Sequence, residues 1–115
     1  MLYEVFIPQG NCSSYPPHKH DVDNPPVESM LEEVYYYRFN PEAGFGFHWA
    51  SSEDLSLDEA YAVKDGDLMI VPDGYHVVVT APGYECYNHC VMAGPKREWN
   101  VKVHPDHVHL LNWNK

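Results

Sequence analysis

The sequence predicts an all-β fold, a small antiparallel β-barrel or jelly roll. Three observations predict it. Short runs rich in Val, Ile, Tyr and Phe recur along the chain, and these residues fit a pleated, half-buried surface. Clusters of Gly, Pro and Asp separate the runs at regular spacing, as expected of a sandwich or barrel. The best helical candidate, Ser52–Glu59, is short enough to read as a loop.

Taken in order, strands are expected at Leu2–Ile7, Leu31–Phe39, Phe45–Ser51, Asp58–Val63, Leu68–Val71, His76–Thr80 and Tyr84–Met92. Turns lie between them at Pro41-Glu42-Ala43-Gly44, Lys64-Asp65-Gly66-Asp67, Pro72-Asp73-Gly74 and Ala81-Pro82-Gly83, each carrying residues that set turn dihedrals. Asp21–Met30, with Pro25-Pro26, reads as a proline-rich loop. From about Pro95 the chain reads as a C-terminal tail anchored by Trp99 and Trp113, packed along the barrel or against a partner. Hydrophobic residues make up 44% of the 115 residues, with nine tyrosines and three tryptophans. That is enough for one globular domain over residues 1–115.

Composition also excludes. A net charge of −10, with no basic cluster beyond Lys96-Arg97, argues against nucleic acid, which needs clustered cations. No apolar run approaches the roughly 20 residues that span a bilayer. The first residues, Met1-Leu2-Tyr3-Glu4-Val5-Phe6, lack the basic region and cleavage pattern of a signal peptide. Cys12, Cys86 and Cys90 are an odd number without C-x-x-C spacing, so free thiols in a reducing cytoplasm are expected.

The chemistry concentrates in three places. Ser14-Tyr15-Pro16-Pro17-His18-Lys19-His20 carries an H-x-H pair. In an extended chain residues two apart point to the same side, so His18 and His20 share a face. Glu33 opens the run Val34-Tyr35-Tyr36-Tyr37, and a G-x5-P-x-G-x-H pattern runs from Gly66 to His76. Three imidazoles and one carboxylate suit a divalent transition metal and leave room for a substrate. Asp21, Asp23, Glu28 and Glu32 compete for the carboxylate position. Glu33 is preferred because alternation puts it on one face with Tyr35, Tyr37 and Phe39, and an inward aromatic face fits a substrate cavity.

H-x-H after a Gly/Pro/Ser-rich loop, a Glu at a strand start, and G-x5-P-x-G-x-H resemble the two motifs of the cupin superfamily. The resemblance narrows over Gly10–Asp21, Leu31–Phe39, Asp65-Gly66-Asp67, Val71–His76 and Val91-Met92-Ala93-Gly94-Pro95-Lys96-Arg97-Glu98-Trp99. These segments resemble the bacterial 5-deoxy-glucuronate isomerase family of inositol catabolism. The related 5-keto-4-deoxyuronate isomerases share the metal-site layout. The resemblance implies a cupin with one metal, zinc or manganese in preference to iron, held by His18, His20, Glu33 and His76. It implies that the chain corresponds to the second, metal-bearing half of a longer two-cupin protein.

The family match includes Lys96 and Arg97, which could clamp the carboxylate of a sugar acid. Tyr35 or Tyr37 could reach a sugar hydroxyl. His48 and His89 read as ordinary polar residues, and the pair His107 and His109 as surface groups. The implied reaction moves a proton between adjacent carbons of a deoxy-uronate, interconverting aldehyde and ketone. Tyr35, Tyr37, Glu85 and His48 are candidate bases, and the sequence singles out none. Two alternatives stand beside an isomerase. One is an iron-dependent cupin oxygenase; the other is a half-domain that binds sugar acid without turnover. A half-length relative of a two-cupin protein is also expected to pair as a homodimer.

Overall fold

The computed structural model describes residues 1–112, so Trp113, one of the two expected tail anchors, lies outside the described residues. Among the described residues, eleven strands form three antiparallel sheets. They are β1 (Leu2–Ile7), β2 (Cys12–Lys19), β3 (Asp21–Asn24), β4 (Glu28–Met30), β5 (Glu32–Asn40), β6 (Phe45–Ser51), β7 (Asp58–Lys64), β8 (Leu68–Val71), β9 (Tyr75–Thr80), β10 (Glu85–Ala93) and β11 (Lys102–Val103). One sheet has the order β1-β10-β5-β8 and the other β11-β2-β9-β6-β7. With the β3–β4 hairpin and β11 set aside, successive strands alternate between the sheets except for β6 and β7, which pair as a hairpin within one sheet, and the order is that of a jelly roll. The fold is a cupin-type jelly roll of two facing sheets. No helix of the described residues is long and apolar enough to cross a membrane.

The expected strands are present within one residue or so at each end, and Ser52–Leu57 is a loop. Period-two patterning is the reason. Along β5, Glu33, Tyr35, Tyr37 and Phe39 are buried and alternate with more exposed residues. Along β10 the buried set is Cys86, Asn88, Cys90 and Met92. These inward faces meet Val63, Val71 and Val78 in the core.

Three segments differ from the sequence expectation. Cys12–Lys19 is a strand, although Ser13, Ser14, Pro16 and Pro17 are poor strand formers and proline donates no ladder hydrogen bond. Its ladder with β9 is accordingly broken: Ser13 pairs with Val78 and His18 with His76, so the intervening residues bulge. The proline-rich Asp21–Met30 segment is a hairpin, not a loop, with Asn24 opposite Glu28 around Pro25-Pro26. Glu28 drives that closure by accepting the backbone N–H groups of Asp21 and Val22. The tail docks through Lys102 and Val103, paired with Lys19 and His18, and ends in a 3-10 helix over Pro105–Asn112.

Gly94 shows how closely the hairpin lies on the barrel. A Cβ at this position would sit 2.0 Å from the Met30 carbonyl oxygen and 3.0 Å from Leu31 Cδ2. Main chain cannot yield as a flexible side chain can, so overpacking here costs about 1–3 kcal/mol. Gly94→Ala is therefore expected to lower the melting temperature and the denaturant midpoint. A midpoint equal to the wild type would show that β4 is not held against the end of β10.

Candidate metal centre

Both sheets contribute to one site near the ends of their strands. His18 is the penultimate residue of β2 and faces His76, its cross-strand partner on β9. His20 follows β2 directly, before the β3–β4 hairpin. Glu33 comes from the opposite sheet, where it lies between Met92 and Val71. One ring nitrogen from each of His18, His20 and His76 lies within 4.8 Å of the other two. Glu33 Oε2 is 2.9 Å from His20 Nε2 and 3.2 Å from His76 Nε2. His20, Glu33 and His76 are buried and His18 is half-buried.

The other nitrogen of each ring is committed to backbone. His18 Nδ1 lies 3.0 Å from the Pro16 carbonyl, His20 Nδ1 2.9 Å from that of Leu31, and His76 Nδ1 3.2 Å from that of Gly74. A carbonyl oxygen only accepts, so each Nδ1 carries the proton. Each Nε2 of a neutral ring is then a lone pair, and the lone pairs of His20 and His76 face a carboxylate that is also an acceptor. His76 Nε2 has no hydrogen-bond partner although it is fully buried. Acceptors gathered around acceptors call for a cation, and imidazole rings oriented through the second nitrogen are the usual arrangement of metal ligands. The donor set therefore fits a divalent ion.

Titration behaviour follows from the same crowding. Burial, then the charge of His76, draws His18 down to about 4. Burial alone would lower His20, but the Glu33 carboxylate and the Leu31 carbonyl outweigh it and raise the pKa. Burial likewise pushes Glu33 up, yet the adjacent His20 and His76 imidazoles outweigh it and bring it down to about 2.

The competing carboxylates are engaged elsewhere. Asp21 and Glu28 hold Lys19, and Asp23 pairs with Lys96 at 3.1 Å. Glu32 points outward on β5. His104, His107 and His109 form no comparable cluster among the described residues.

A cleft of about 220 Å³ opens beside the centre, lined by His18, Glu33, Tyr35, Ser14, Met92 and Trp99 among others. The Tyr35 hydroxyl is 2.8 Å from Ser14 Oγ. Tyr37 lies deeper, its hydroxyl 2.8 Å from His48 Nδ1, and does not line this cleft. Burial, then the charge of His76, lowers His48 to about 4, so it is a neutral core group at ordinary pH. Trp99, which the sequence offered only as a tail anchor, stands over the site with ring centroids 5.6 Å from His20 and 6.4 Å from His18. Lys96 and Arg97 line a neighbouring cleft of about 230 Å³ that shares Met92 with the first. Glu85 lies opposite Asn40, at the far end of β5. Seven residues of strand put it ~23 Å from Glu33. A larger cleft of about 350 Å³ at that end, lined by Phe6, Phe39 and Glu85, contains none of the gathered histidines.

Comparison with known proteins agrees with this architecture. Over 111 residues the chain is 53% identical to a 5-deoxy-glucuronate isomerase of Geobacillus thermodenitrificans, covering 96% of this chain and 40% of that protein. It is 51% identical over 111 residues to the enzyme of the same name from Listeria monocytogenes serotype 4b, with 96% and 41% covered. The chain thus spans about two fifths of the length of these relatives. The crystal structure of an IolB-like protein from Salmonella typhimurium superposes with a TM-score of 0.93 at 43% identity, over 96% of this chain and 42% of that one. A Bacteroides fragilis cupin, at a TM-score of 0.54 and 16% identity over 86% of this chain and 70% of its own, shares the fold. Residues 1–110 match the KduI/IolB family, and the chain belongs to it.

Proposed function

We propose that the chain is the metal-binding unit of a sugar-acid isomerase, interconverting the aldehyde and keto forms of a deoxy-uronate such as 5-deoxy-glucuronate. The observation that carries this reading is the convergence of three backbone-oriented imidazoles and Glu33 beside an open cleft. The resemblance to named isomerases supplies the substrate class. His18, His20, Glu33 and His76 would hold a divalent ion, zinc or manganese in preference to iron, and its positive charge would stabilise negative charge that develops on the substrate as a proton moves between adjacent carbons.

The chain's own residues define what surrounds that event. Burial, then the charge of Glu33, raises the Tyr35 phenol well above its ordinary value. Tyr35 therefore stays protonated and acts as a hydrogen-bond donor on the cleft wall, not as a base. Tyr37 stacks behind it, with centroids 5.9 Å apart and planes 11° from parallel, and fixes the ring. Trp99 covers the outer edges of His18 and His20 and limits access of water. Arg97 reads the substrate carboxylate: Lys96 is tied to Asp23, whereas Arg97 makes no ion pair among the described residues. Its planar fork suits a carboxylate better than a point charge does. The free state of all three cysteines fits a reducing cytoplasm, where we place the protein.

Two copies pair, in this reading, through the outer face of the four-stranded sheet. Leu2, Val91, Val34 and Ile70 form one row across it and Glu4, His89, Tyr36 and Leu68 the next. Leu2, Leu68 and Ile70 are each at least 60% exposed. A two-fold pair buries one such patch against its equal.

Purified protein loaded with zinc or manganese is expected to convert a 5-deoxy-uronate without consuming oxygen. Oxygen uptake would favour an oxygenase, and sugar binding without turnover would favour a binding half-domain. His76→Ala should lose most of its metal by elemental analysis, whereas His107→Ala should keep it. Ligation requires neutral rings, and the raised His20 is the one that must shed a proton. Metal affinity should therefore begin to fall above the ordinary histidine range and go on falling as pH drops through it. Full metal occupancy in His76→Ala would sink the ligand set.

Arg97→Ala and Arg97→Lys should both weaken uronate binding by about ten- to a hundredfold, since a charged hydrogen bond is worth about 1.5–3 kcal/mol. Analogues with a neutral terminal group should be little affected. Equal losses for both ligand types, titrated at equal metal content, would assign Arg97 to the fold.

Light scattering at micromolar concentration should give the mass of a dimer. A monodisperse monomer would remove the sheet-face pairing.

A further inference from the structure

Beside the centre lies a charged cluster that the proposed reaction does not use. Lys19 Nζ is 2.5 Å from Asp21 Oδ1 and 2.6 Å from Glu28 Oε1. The three side chains are only 14%, 19% and 5% exposed, in that order. A cluster this buried is costly unless its geometry is fully satisfied. Glu28 Oε1 also accepts the N–H of Asp21 at 2.9 Å and of Val22 at 3.2 Å. Every partner so far lies within the β2–β3–β4 segment. The exception is the second oxygen of Asp21, which accepts the N–H of Gly74 at 2.8 Å, 53 residues away.

Gly74 is the turn residue that presents His76. Its backbone is left-handed, with φ of +88°, and a Cβ there would meet Leu57 Cδ2 and the Ser51 carbonyl, both at 3.1 Å. Only glycine fits, and glycine by itself holds no preferred conformation. Its carbonyl accepts the Nδ1–H of His76 at 3.2 Å, the longest of the three ring-to-backbone contacts. That ring therefore depends most on where its acceptor is placed. Asp21 grips one side of Gly74 and His76 hangs from the other.

We infer that Asp21 is a positioning residue for His76: through Gly74 it sets the ring's tautomer and the direction of Nε2. Lys19 and Glu28 fix the carboxylate that does so. The consequence for metal affinity rests on the metal centre proposed above; the effect on the ring is a property of the polypeptide alone.

The test uses the full chain and two variants, Asp21→Ala and Asp21→Asn. Long-range proton–nitrogen NMR spectra of metal-free protein report which ring nitrogen of His76 carries the proton. Competition with a chromophoric chelator reports affinity for zinc. Thermal melting reports stability. Wild type should show His76 as the Nδ1–H form, and Asp21→Ala a mixture of tautomers. Zinc affinity should fall about ten- to a hundredfold in Asp21→Ala, the usual cost of losing a group that orients a ligand. Asp21→Asn keeps an acceptor for Gly74 but loses the Lys19 anchor, so its zinc affinity should lie between the two. A lower melting temperature with unchanged His76 spectra and zinc affinity would overturn the inference and leave Asp21 a hairpin brace. Should Asp21→Ala fail to fold, the same two unchanged readings in Asp21→Asn overturn it. Loss of the His76 tautomer in Asp21→Ala, with no zinc bound by wild type, would keep the positioning role and sink the metal reading.

Discussion

The centre depends on three hydrogen bonds from imidazole Nδ1–H groups to main-chain carbonyls. Each acceptor lies where the chain leaves regular pairing. Pro16 is in the bulge of β2, Leu31 between β4 and β5, and Gly74 in the turn before β9. Within a regular ladder these carbonyls would be spent on a neighbouring strand. The irregularities of the barrel are thus the places where ring orientation is set. A smooth jelly roll of the same strands would have no spare acceptors at these points.

That arrangement has an energetic cost which the interior shares. His48, Asn88 and Thr80 are buried polar groups beside a core cluster of Ile, Val, Tyr, Phe and Cys. Some of the cost is offset locally: Tyr37 bonds His48, and Cys90 donates to Asn88 Oδ1 at 3.1 Å. A buried acceptor without a donor costs about 1–3 kcal/mol, so the facing lone pairs of the centre are a destabilising group when judged by packing alone. A bound cation would reverse that sign and so couple occupancy of the site to stability of the fold.

How much of this was legible in the sequence depended on the range over which each signal acts. The alternation of Glu33, Tyr35, Tyr37 and Phe39 is local and strict, and it separates Glu33 from Glu32 by face, the other three carboxylates lying in the segment read as a loop. The spacing from Gly66 to His76 likewise encodes a strand, a turn and a presented ring. β2 was not legible as a strand because its prolines and serines oppose strand propensity, and pairing with β9 and β11 overrides them. The β3–β4 hairpin is masked by Pro25-Pro26, and the contacts that close it come from polar side chains, Glu28 above all, that carry no strand pattern. Asp21 looked like a rival ligand. Its turn away from the histidines follows from Lys19 and from Gly74, and the second of these is a contact no local pattern announces. Trp99 was read as a tail anchor because nothing in the sequence states that the tail passes over His18 and His20.

The position of the orienting groups bears on what the centre needs. The four candidate ligands lie between His18 and His76, and their carbonyl acceptors between Pro16 and Gly74, all within the stretch that matches the family. No ligand and no orienting group has to be borrowed. In the proposed reading, metal binding would therefore need no residue from outside this segment. Substrate selection differs. In the proposed reading it would involve Tyr35 in one cleft and Arg97 in the next, two surfaces that share Met92. A wall added there, by a second copy or by the additional chain that the longer relatives carry, would change which sugar acid fits without altering a single bond in the metal centre.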